Sequence, residues 1–288
     1  MKTKKLEHLS KIFHEYDAFI VDLWGVMHNG IKLNASAINA VKKLEANGKR
    51  VVFLSNAPRP TKKVVEFLKK MKMDEKLLKN VLTSGEAAMN SLKKNTFGEK
   101  FFHLGPQRDD SLFYDIKKNK TSLEKCNFIL CTGLFDEQEE NLKYYEELLK
   151  KYTDKKFVCT NPDLVVHRGG EEEYCAGKIA EIFENLGGEV IYFGKPHKEV
   201  YLSCLKADQK TLVIGDNLKT DIKGANNMGI DSIFITEGVH KAKIFDEELI
   251  ENLLKEYNVS SKYFQKEQRI GFLLKMELLN LKIIIYQF

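Results

Sequence analysis

Three apolar stretches of this chain each end in a polar side chain of a type that can take part in catalysis. Asp22 closes the first stretch, Ser55 and Asn56 follow the second, and Asp216 follows the third. Ligands of open α/β sheets bind where the carboxyl ends of parallel strands meet. If the stretches are neighbouring parallel strands, these side chains converge at one point, which is a sharper signal than a single aspartate at the end of a strand.

Two carboxylates at one point repel each other unless a cation lies between them. Hard oxygen ligands with room for water suit Mg²⁺, and such an ion neutralises a phosphoryl group while one carboxylate stays able to attack phosphorus. Ser55 and the backbone amides beside it can bind phosphate oxygens. Lys195, in the phrase Gly194-Lys195-Pro196-His197, would place a positive charge beside the attacking carboxylate.

The segment from Gly215 to Asp221 carries a further acidic residue at a fixed spacing. It reads Gly-Asp-x-x-x-Thr-Asp, a pattern that average residue frequencies rarely produce by chance. Asp221 lies in the first turn of a predicted helix, where a carboxylate is favoured. From there it can buttress Asp216 or a metal-bound water.

These side chains need a framework of strands and helices. Continuous apolar runs predict strands buried on both faces of a parallel sheet, and helical spacing of apolar residues predicts helices. The predicted strands are 18–23, 50–54, 100–104, 127–131, 156–159, 189–192, 211–216 and 232–236, and the predicted helices are 6–15, 34–47, 64–71, 136–151, 174–186, 218–228 and one near 245–257. This alternation predicts a three-layer α/β fold.

The residues that can do chemistry lie at the two ends of the chain, before about residue 60 and after about residue 194. A coherent α/β block separates them, which is the pattern of one domain inserted into another. We therefore predict a discontinuous core domain of residues 1–85 and 194–265 and an inserted cap domain of residues 86–193. A tail of residues 266–288 carries no functional signal.

The order of these motifs resembles the haloacid dehalogenase (HAD) superfamily. The motifs are Asp22-x-x-Gly-Val, Ser55-Asn56, Lys195 and Gly215-Asp216-x-x-x-Thr-Asp221. The long insert resembles the type IIA cap of the NagD-like and p-nitrophenylphosphatase-like subfamily, which uses the phrases Val81-Leu82-Thr83-Ser84, Thr160-Asn161-Pro162-Asp163 and Gly194-Lys195-Pro196. The resemblance covers roughly residues 15–240 and implies a Rossmannoid α/β core with a parallel sheet and an inserted α/β cap.

The resemblance also implies a role for each motif residue. Asp22 would be the nucleophile that forms an aspartyl-phosphate, and Ser55, Asn56 and Lys195 would hold the phosphoryl group. Mg²⁺ would bind to Asp22, to Asp216 and to the backbone carbonyl of Trp24, with Asp221 and Asn217 supporting these ligands. Asn161 and Asp163 of the cap would contribute to specificity, although a simple turn around Pro162 explains them equally well.

Trp24 is a departure from the family pattern, because phosphatases of this superfamily usually carry a second aspartate there as the acid that protonates the leaving oxygen. An indole can neither deliver a proton to an alkoxide nor activate water as a base.

Three consequences of this departure stay open. The enzyme could act on leaving groups that need no proton, His28 could replace the missing acid, or the protein could bind a phosphorylated ligand without turnover. For His28, a loop histidine bonded to backbone is the favoured interpretation. For Trp24, core packing is as favoured as a role in shielding the site or stacking on a substrate. His167 and Arg168 could contact an anionic group or form a solvated loop.

Composition and charge exclude several classes of protein. Apolar residues make up 43% and charged residues 30% of the 288, an ordinary globular balance. The net charge of +5 comes from lysines spread along the chain, so neither a nucleic acid nor a membrane is an expected partner. The five cysteines have no CxxC spacing and predict reduced thiols in a cytoplasmic protein. The amino-terminal segment lacks the apolar core of a signal peptide. The sequence does not determine the oligomeric state, and a homo-oligomer is one of the options. The spacing of the histidines predicts no zinc site.

The leading hypothesis is thus a cytoplasmic, Mg²⁺-dependent HAD hydrolase of class IIA. It would act on a small phosphorylated metabolite through an aspartyl-phosphate at Asp22. The alternative is a non-catalytic protein on the same fold that binds a phosphate ligand or has a regulatory role. Carbon–halogen cleavage is a weaker third hypothesis, because dehalogenation needs no metal and this chain has the whole magnesium-ligand set.

Overall fold

A computed structural model describes residues 2–168, 171–244 and 246–265 of the chain. The predicted tail, residues 266–288, lies outside the described residues. In the described part, no helix is long and apolar enough to cross a membrane.

The described residues form thirteen strands and eight α-helices. The strands are β1 (Lys4–Lys5), β2 (Ala18–Val21), β3 (Arg50–Ser55), β4 (Val81–Thr83), β5 (Phe101–Leu104), β6 (Phe128–Cys131), β7 (Lys156–Cys159), β8 (Val165–Arg168), β9 (Glu171–Tyr174), β10 (Val190–Tyr192), β11 (Thr211–Gly215), β12 (Asp231–Ile235) and β13 (Tyr263–Gln265). The helices are α1 (Ala35–Ala46), α2 (Thr61–Lys70), α3 (Ser84–Leu92), α4 (Leu142–Leu149), α5 (Ala176–Asn185), α6 (Lys198–Leu202), α7 (Lys223–Asn227) and α8 (Glu248–Glu256). Short 3₁₀ segments occupy Leu9–Lys11, Phe13–Glu15, Glu75–Lys79, Gln107–Asn119, Leu123–Lys125, Asp136–Gln138 and Lys241–Lys243, and a π-helical turn spans Leu218–Ile222.

The larger sheet has seven parallel strands in the order β1-β13-β12-β11-β2-β3-β4. Along β2, Phe19 and Val21 face one apolar layer and Ile20 faces the other, because successive side chains of a strand point to opposite faces. The sheet is therefore covered on both sides, and the predicted three-layer α/β fold is confirmed.

A second parallel sheet has the order β10-β7-β6-β5, and all of its strands lie between residues 101 and 192. It too is buried on both faces: Ile129 of β6 lies in one apolar cluster and Leu130 in another. Strands β8 and β9 form a separate antiparallel pair. Helix α3 crosses the predicted boundary at residues 85–86 and packs Met89 and Leu92 among residues of the second sheet, so the exact boundary stays a prediction.

Most predicted elements are present, and the differences have local causes. The predicted helix 6–15 is wrong: two single 3₁₀ turns pack Leu9 and Ile12 into the core, since so short a segment gains little from helical propagation. The predicted helix 136–151 begins only at Leu142, because the side chain of Asn141 caps it. The predicted helix 218–228 is divided into the π-helical turn and α7.

Candidate functional site

The three polar strand ends lie together, because β11, β2 and β3 are adjacent and parallel. Asp22 follows β2, Ser55 is the last residue of β3, and Asp216 follows β11. The backbone N–H of Asp22 donates to the carbonyl of Ile214 at 2.9 Å, which continues the ladder between the two strands to the edge of the site. The convergence expected from the sequence is therefore present.

A cluster of buried carboxylates forms the centre of the site. Oxygen atoms of Asp22, Asp216 and Asp221 all lie within 4.8 Å of one another. The Nζ atom of Lys195 donates to Asp22 Oδ1 at 2.5 Å and to Asp221 Oδ1 at 2.7 Å. Each of the four side chains is buried. Three carboxylates and one ammonium group, which pairs with two of them, thus lie in a place that water reaches poorly.

Burial and mutual repulsion control the protonation of this cluster. Burial raises the pKa of Asp22 well above its ordinary value, although the charge of Lys195 opposes the shift. Burial and the neighbouring Asp221 raise the pKa of Asp216 to about 7. Burial by itself lowers the pKa of Lys195, but the carboxylates of Asp22 and Asp221 outweigh it and leave that pKa well above its usual range. Lys195 therefore stays protonated, whereas burial and crowding oppose the simultaneous ionisation of Asp22 and Asp216.

The donor set fits a hard divalent cation. The cluster offers buried carboxylate oxygens at short mutual distances. A cation there would offset the burial and the mutual repulsion that together raise the carboxyl pKa values. Asp221 was predicted only as a supporting residue, yet its own carboxylate lies in this cluster and pairs directly with Lys195.

Asn56 holds Lys195 by its backbone. The side-chain Oδ1 of Asn56 accepts from the backbone N–H of Lys195 at 2.8 Å, and its Nδ2 donates to the carbonyl of Lys195 at 3.1 Å and to Asp163 Oδ1 at 3.2 Å. These bonds occupy both ends of the amide, so the side chain is not free to bind phosphate as predicted. It fixes the segment that presents the ammonium group.

Ser55 is a strand-end hydroxyl and does not cap a helix. Its Oγ accepts from the backbone N–H of Ala57 at 3.2 Å, and Pro60 occupies the N-cap position of α2. Ser55 is buried and lines the same cleft as Asp22 and Lys195. This position suits the predicted contact with a phosphate oxygen.

The loop after Asp22 is pressed against Asp216. Gly25 has a φ of +88°, and a Cβ atom there would lie 2.1 Å from Asp216 Oδ2, so a side chain would both strain the backbone and displace the carboxylate. The N–H of Gly25 donates to the carbonyl of His28 at 2.8 Å, and the N–H of His28 donates to the carbonyl of Leu23 at 3.1 Å. These bonds fix the loop that carries Trp24.

Trp24 is half-buried and reaches the predicted cap rather than the core interior. Its indole Nε1 donates to the backbone carbonyl of His167 in β8 at 2.9 Å. The guanidinium carbon of Arg168 lies 5.9 Å from the centre of the indole ring. The interpretation of His167 and Arg168 as a solvated loop is wrong, because Val165–Arg168 is a strand paired with β9.

His28 does not have the properties of a replacement acid. Burial lowers its pKa to about 4, so the imidazole is neutral near pH 7. Its Nδ1 accepts from the backbone N–H of Gly30 at 3.0 Å, and its ring makes edge contacts with Trp24 and Phe67. The interpretation as a packed histidine bonded to backbone fits these contacts better.

The predicted cap phrase enters the site through Asp163. Asp163 Oδ1 accepts from Asn56 Nδ2 at 3.2 Å and from Asn217 Nδ2 at 3.4 Å, so it joins two amides that neighbour site residues. Burial raises the pKa of Asp163 to about 6. The side chain of Asn161 instead accepts from the backbone N–H of Asp163 at 3.1 Å, as in the turn that the sequence left open.

One contact at the cleft carried no sequence signal. Arg59, four residues beyond Ser55, pairs through Nε with the buried carboxylate of Asp109 at 2.9 Å. Fifty positions separate the two residues, and neither lies in a motif. A cleft of about 1960 Å³ is lined by both of them, by the carboxylate cluster and by residues of β8 and β9.

Comparison with known proteins agrees with this site. A family model described as haloacid dehalogenase-like hydrolase matches residues 19–116, and a HAD-hydrolase-like model matches residues 192–255. The crystal structure of a haloacid dehalogenase-like hydrolase from Brucella suis is 30% identical, with a TM-score of 0.80, over 91% of this chain and 99% of that one. The chain therefore belongs to the haloacid dehalogenase-like hydrolase family, within its class IIA, and is a phosphohydrolase of that family.

Three further relatives differ in their named substrates. The 5′-nucleotidase YutF of Bacillus subtilis is 24% identical over 78% of this chain and 89% of that protein, and an acid sugar phosphatase of Staphylococcus aureus is 24% identical over 78% and 88%. The glycerol phosphate phosphatase Rv1692 of Mycobacterium tuberculosis, crystallised with magnesium, has a TM-score of 0.64 at 20% identity over 90% of this chain and 78% of that one. The identity of a relative thus does not specify a substrate.

Proposed function

We propose that the protein is a Mg²⁺-dependent phosphatase or phosphoryl-transfer enzyme. It acts on a small phosphorylated metabolite through an aspartyl-phosphate at Asp22, and it prefers substrates whose leaving group needs no proton. The observation that carries the proposal is the buried cluster of Asp22, Asp216, Asp221 and Lys195 at the carboxyl ends of three adjacent parallel strands.

Asp22, Asp216 and the backbone carbonyl of Trp24 would hold the metal. Buried carboxylate oxygens suit Mg²⁺, and the magnesium complex of the M. tuberculosis phosphatase supports that choice. When bound, the ion would neutralise part of the charge on the phosphoryl group.

The protein's own groups account for the attack on phosphorus. A carboxylate oxygen of Asp22 forms a bond to phosphorus, and the bond from phosphorus to the leaving oxygen breaks with its electron pair on that oxygen. Lys195 stays protonated and lies next to Asp22, where it attracts the phosphoryl oxygens, and Ser55 contacts them from the neighbouring strand. Water then attacks phosphorus, and the bond from phosphorus to the Asp22 oxygen breaks with its electron pair on that oxygen, which restores the carboxylate. Phosphate leaves with one hydrogen of the water, and the other proton passes to solvent.

Neither of the two side chains considered for the leaving group side, Trp24 and His28, supplies a proton there. The indole of Trp24 is committed to a backbone carbonyl, and His28 is neutral at physiological pH. An alkoxide therefore departs without a proton donor, which typically costs about 10²–10⁴-fold in rate. Acyl phosphates and aryl phosphates escape this penalty in the attack of Asp22 on phosphorus, because their leaving groups are weak bases.

The first experiment measures phosphate release from acetyl phosphate by the wild type and by D22N, each with Mg²⁺ and with a chelator. We expect Mg²⁺-dependent release by the wild type and a loss of at least about 10³-fold in D22N, as for other covalent nucleophiles. D17N is the matched control, because Asp17 precedes the same strand at its opposite end and accepts a bond from Lys210 there. It should keep wild-type turnover.

Two results would contradict the proposal. Unchanged turnover in D22N would exclude the nucleophile assignment. No release from acetyl phosphate or nitrophenyl phosphate, by folded protein that binds Mg²⁺ and phosphate, would favour the alternative of a phosphate-binding or regulatory protein, which the indole at position 24 motivates.

A further inference from the structure

The indole of Trp24 lies between three parts of the molecule. Its Nε1 donates to the His167 carbonyl at 2.9 Å, and the guanidinium carbon of Arg168 lies 5.9 Å from the ring centre. On another side, a Cβ atom added to Gly30 would lie 2.7 Å from Cζ2 of the indole. A loop of the core is thus shaped to let this ring reach the hairpin that β8 and β9 form.

The hairpin has little support of its own. Strands β8 and β9 pair with each other in a two-stranded sheet, and their side chains are partly or fully exposed. An isolated two-stranded hairpin is marginally stable in water. Docking on a neighbouring element is therefore needed to hold it in one place, and the described residues provide the bond to Trp24 for this purpose.

The docking point is directly linked to the reacting groups. Trp24 is two residues from Asp22, and the next residue, Gly25, lies against the carboxylate of Asp216. The hairpin residues His167 and Arg168 line the same cleft as Asp22. A hairpin fixed at Trp24 therefore narrows the space in which a leaving group must fit.

We propose that Trp24 is a positioning residue that docks the β8–β9 hairpin over the cleft and thereby selects the leaving group. The indole N–H donates a hydrogen bond to the hairpin, and the face of the ring makes a cation–π contact with it. The indole thus holds the hairpin and does not protonate the leaving oxygen. The consequence for substrates rests on the proposed function, whereas the docking itself does not. A substrate with a leaving group large enough to reach the hairpin depends on this contact, and acetyl phosphate does not.

The test of docking uses a property of the chain, since Trp24 is its single tryptophan and its fluorescence therefore reports the surroundings of this one indole. In R168A, which removes the guanidinium from the ring, we expect emission at longer wavelength and acrylamide quenching raised by about twofold or more. R108A is the matched control, because Arg108 lines the same cleft but pairs with Asp136. It should keep the wild-type spectrum. Equal spectra in wild type and R168A would overturn the docking, whether or not the protein releases phosphate.

The test of selection uses W24F, which keeps an aromatic ring but lacks the N–H donor. Loss of one hydrogen bond changes an equilibrium constant by about 2- to 10-fold. We expect KM for a sugar phosphate to rise by this factor, while KM for acetyl phosphate stays within about twofold of the wild-type value. An equal rise for both substrates, or no rise, would overturn selection at the hairpin. If the wild type turns over neither substrate, the proposed function fails, and the fluorescence result still decides the docking.

Discussion

The two sides of the cleft around Asp22 are built on different principles. On the core side, the charged groups of the cluster are buried: Lys195 pairs with Asp22 and Asp221, and Asn56 holds the lysine by its backbone. On the side that faces the β8–β9 hairpin, Trp24 is half-buried and bonded to a backbone carbonyl. The core side is preorganised for attack on phosphorus, whereas on the other side the indole of Trp24 offers contacts and no proton.

The largest expected effect comes from restoring an acid at position 24. In W24D, a carboxyl group stands where related phosphatases carry their acid, so we expect kcat for a sugar phosphate to rise by about 10²–10⁴-fold. The matched variant W24N has nearly the same shape but no proton to give, and it should show no gain. Phosphate release measures both. An equal gain in the two variants would mean that space, rather than a proton, limits the wild type.

The next largest effect is a loss of activity, and it is expected on the core side. K195M removes the ammonium group that lies against Asp22, and we expect kcat/KM for acetyl phosphate to fall by about 10²–10³-fold, because one preorganised charge contact with the reacting group is lost. K198M changes an exposed lysine three residues away and should have no such effect. Comparable activity in K195M and wild type would show that the cluster does not act on the phosphoryl group.

A smaller effect, on the free energy of unfolding, is expected at Asp163, which accepts hydrogen bonds from two core amides. The pKa of Asp163 is about 6 in the folded protein against 3.8 for an ordinary aspartate. The folded state therefore binds the extra proton between these values, and this contribution to the free energy of unfolding is lost as pH rises from about 4 to about 6. D163N lacks it, so the Tm of wild type minus that of D163N should fall across this range in metal-free buffer.

The exposed Asp154 supplies the control for that measurement. D154N should differ from wild type by a constant Tm across the same pH range. A difference between wild type and D163N that does not change with pH would mean that Asp163 titrates normally.

The smallest effect is expected at His28. H28Q keeps a side chain that can accept from Gly30, so turnover of acetyl phosphate and of a sugar phosphate should each stay within about threefold of wild type. Loss of a working acid would instead lower the sugar phosphate rate by about 10²–10⁴-fold and spare acetyl phosphate. Rates for the two substrates, measured side by side, distinguish these outcomes.

The sequence predicts the core side well because its geometry follows from strand order. Once the apolar runs are parallel neighbours, Asp22, Ser55 and Asp216 must meet at one edge of the sheet. The spacing of the motif residues does not predict that Asp221 pairs directly with Lys195, because this contact depends on the direction in which the π-helical turn places the side chain of Asp221.

The other side of the cleft could not be predicted in the same way. The contact of Trp24 with His167 joins residues 143 positions apart, and the two apolar residues of β8, Val165 and Val166, are too few to indicate a strand. Asn56 was assigned to phosphate by its place in a motif, but the amide is used by Lys195 and Asp163. These contacts depend on tertiary packing between the two sheets, which local pattern does not encode.

The most direct test of the difference between the two sides of the cleft compares substrates with different leaving groups, all with the wild-type protein. Phosphate release is measured from acetyl phosphate, p-nitrophenyl phosphate and a sugar phosphate, with Mg²⁺ and with chelator. We expect Mg²⁺-dependent release from the first two and a kcat/KM on the sugar phosphate that is lower by about 10²–10⁴-fold, because kcat/KM reports the step in which the leaving group departs. Similar kcat/KM values on all three substrates would contradict this difference, because a proton donor would then have to act on the side that Trp24 occupies.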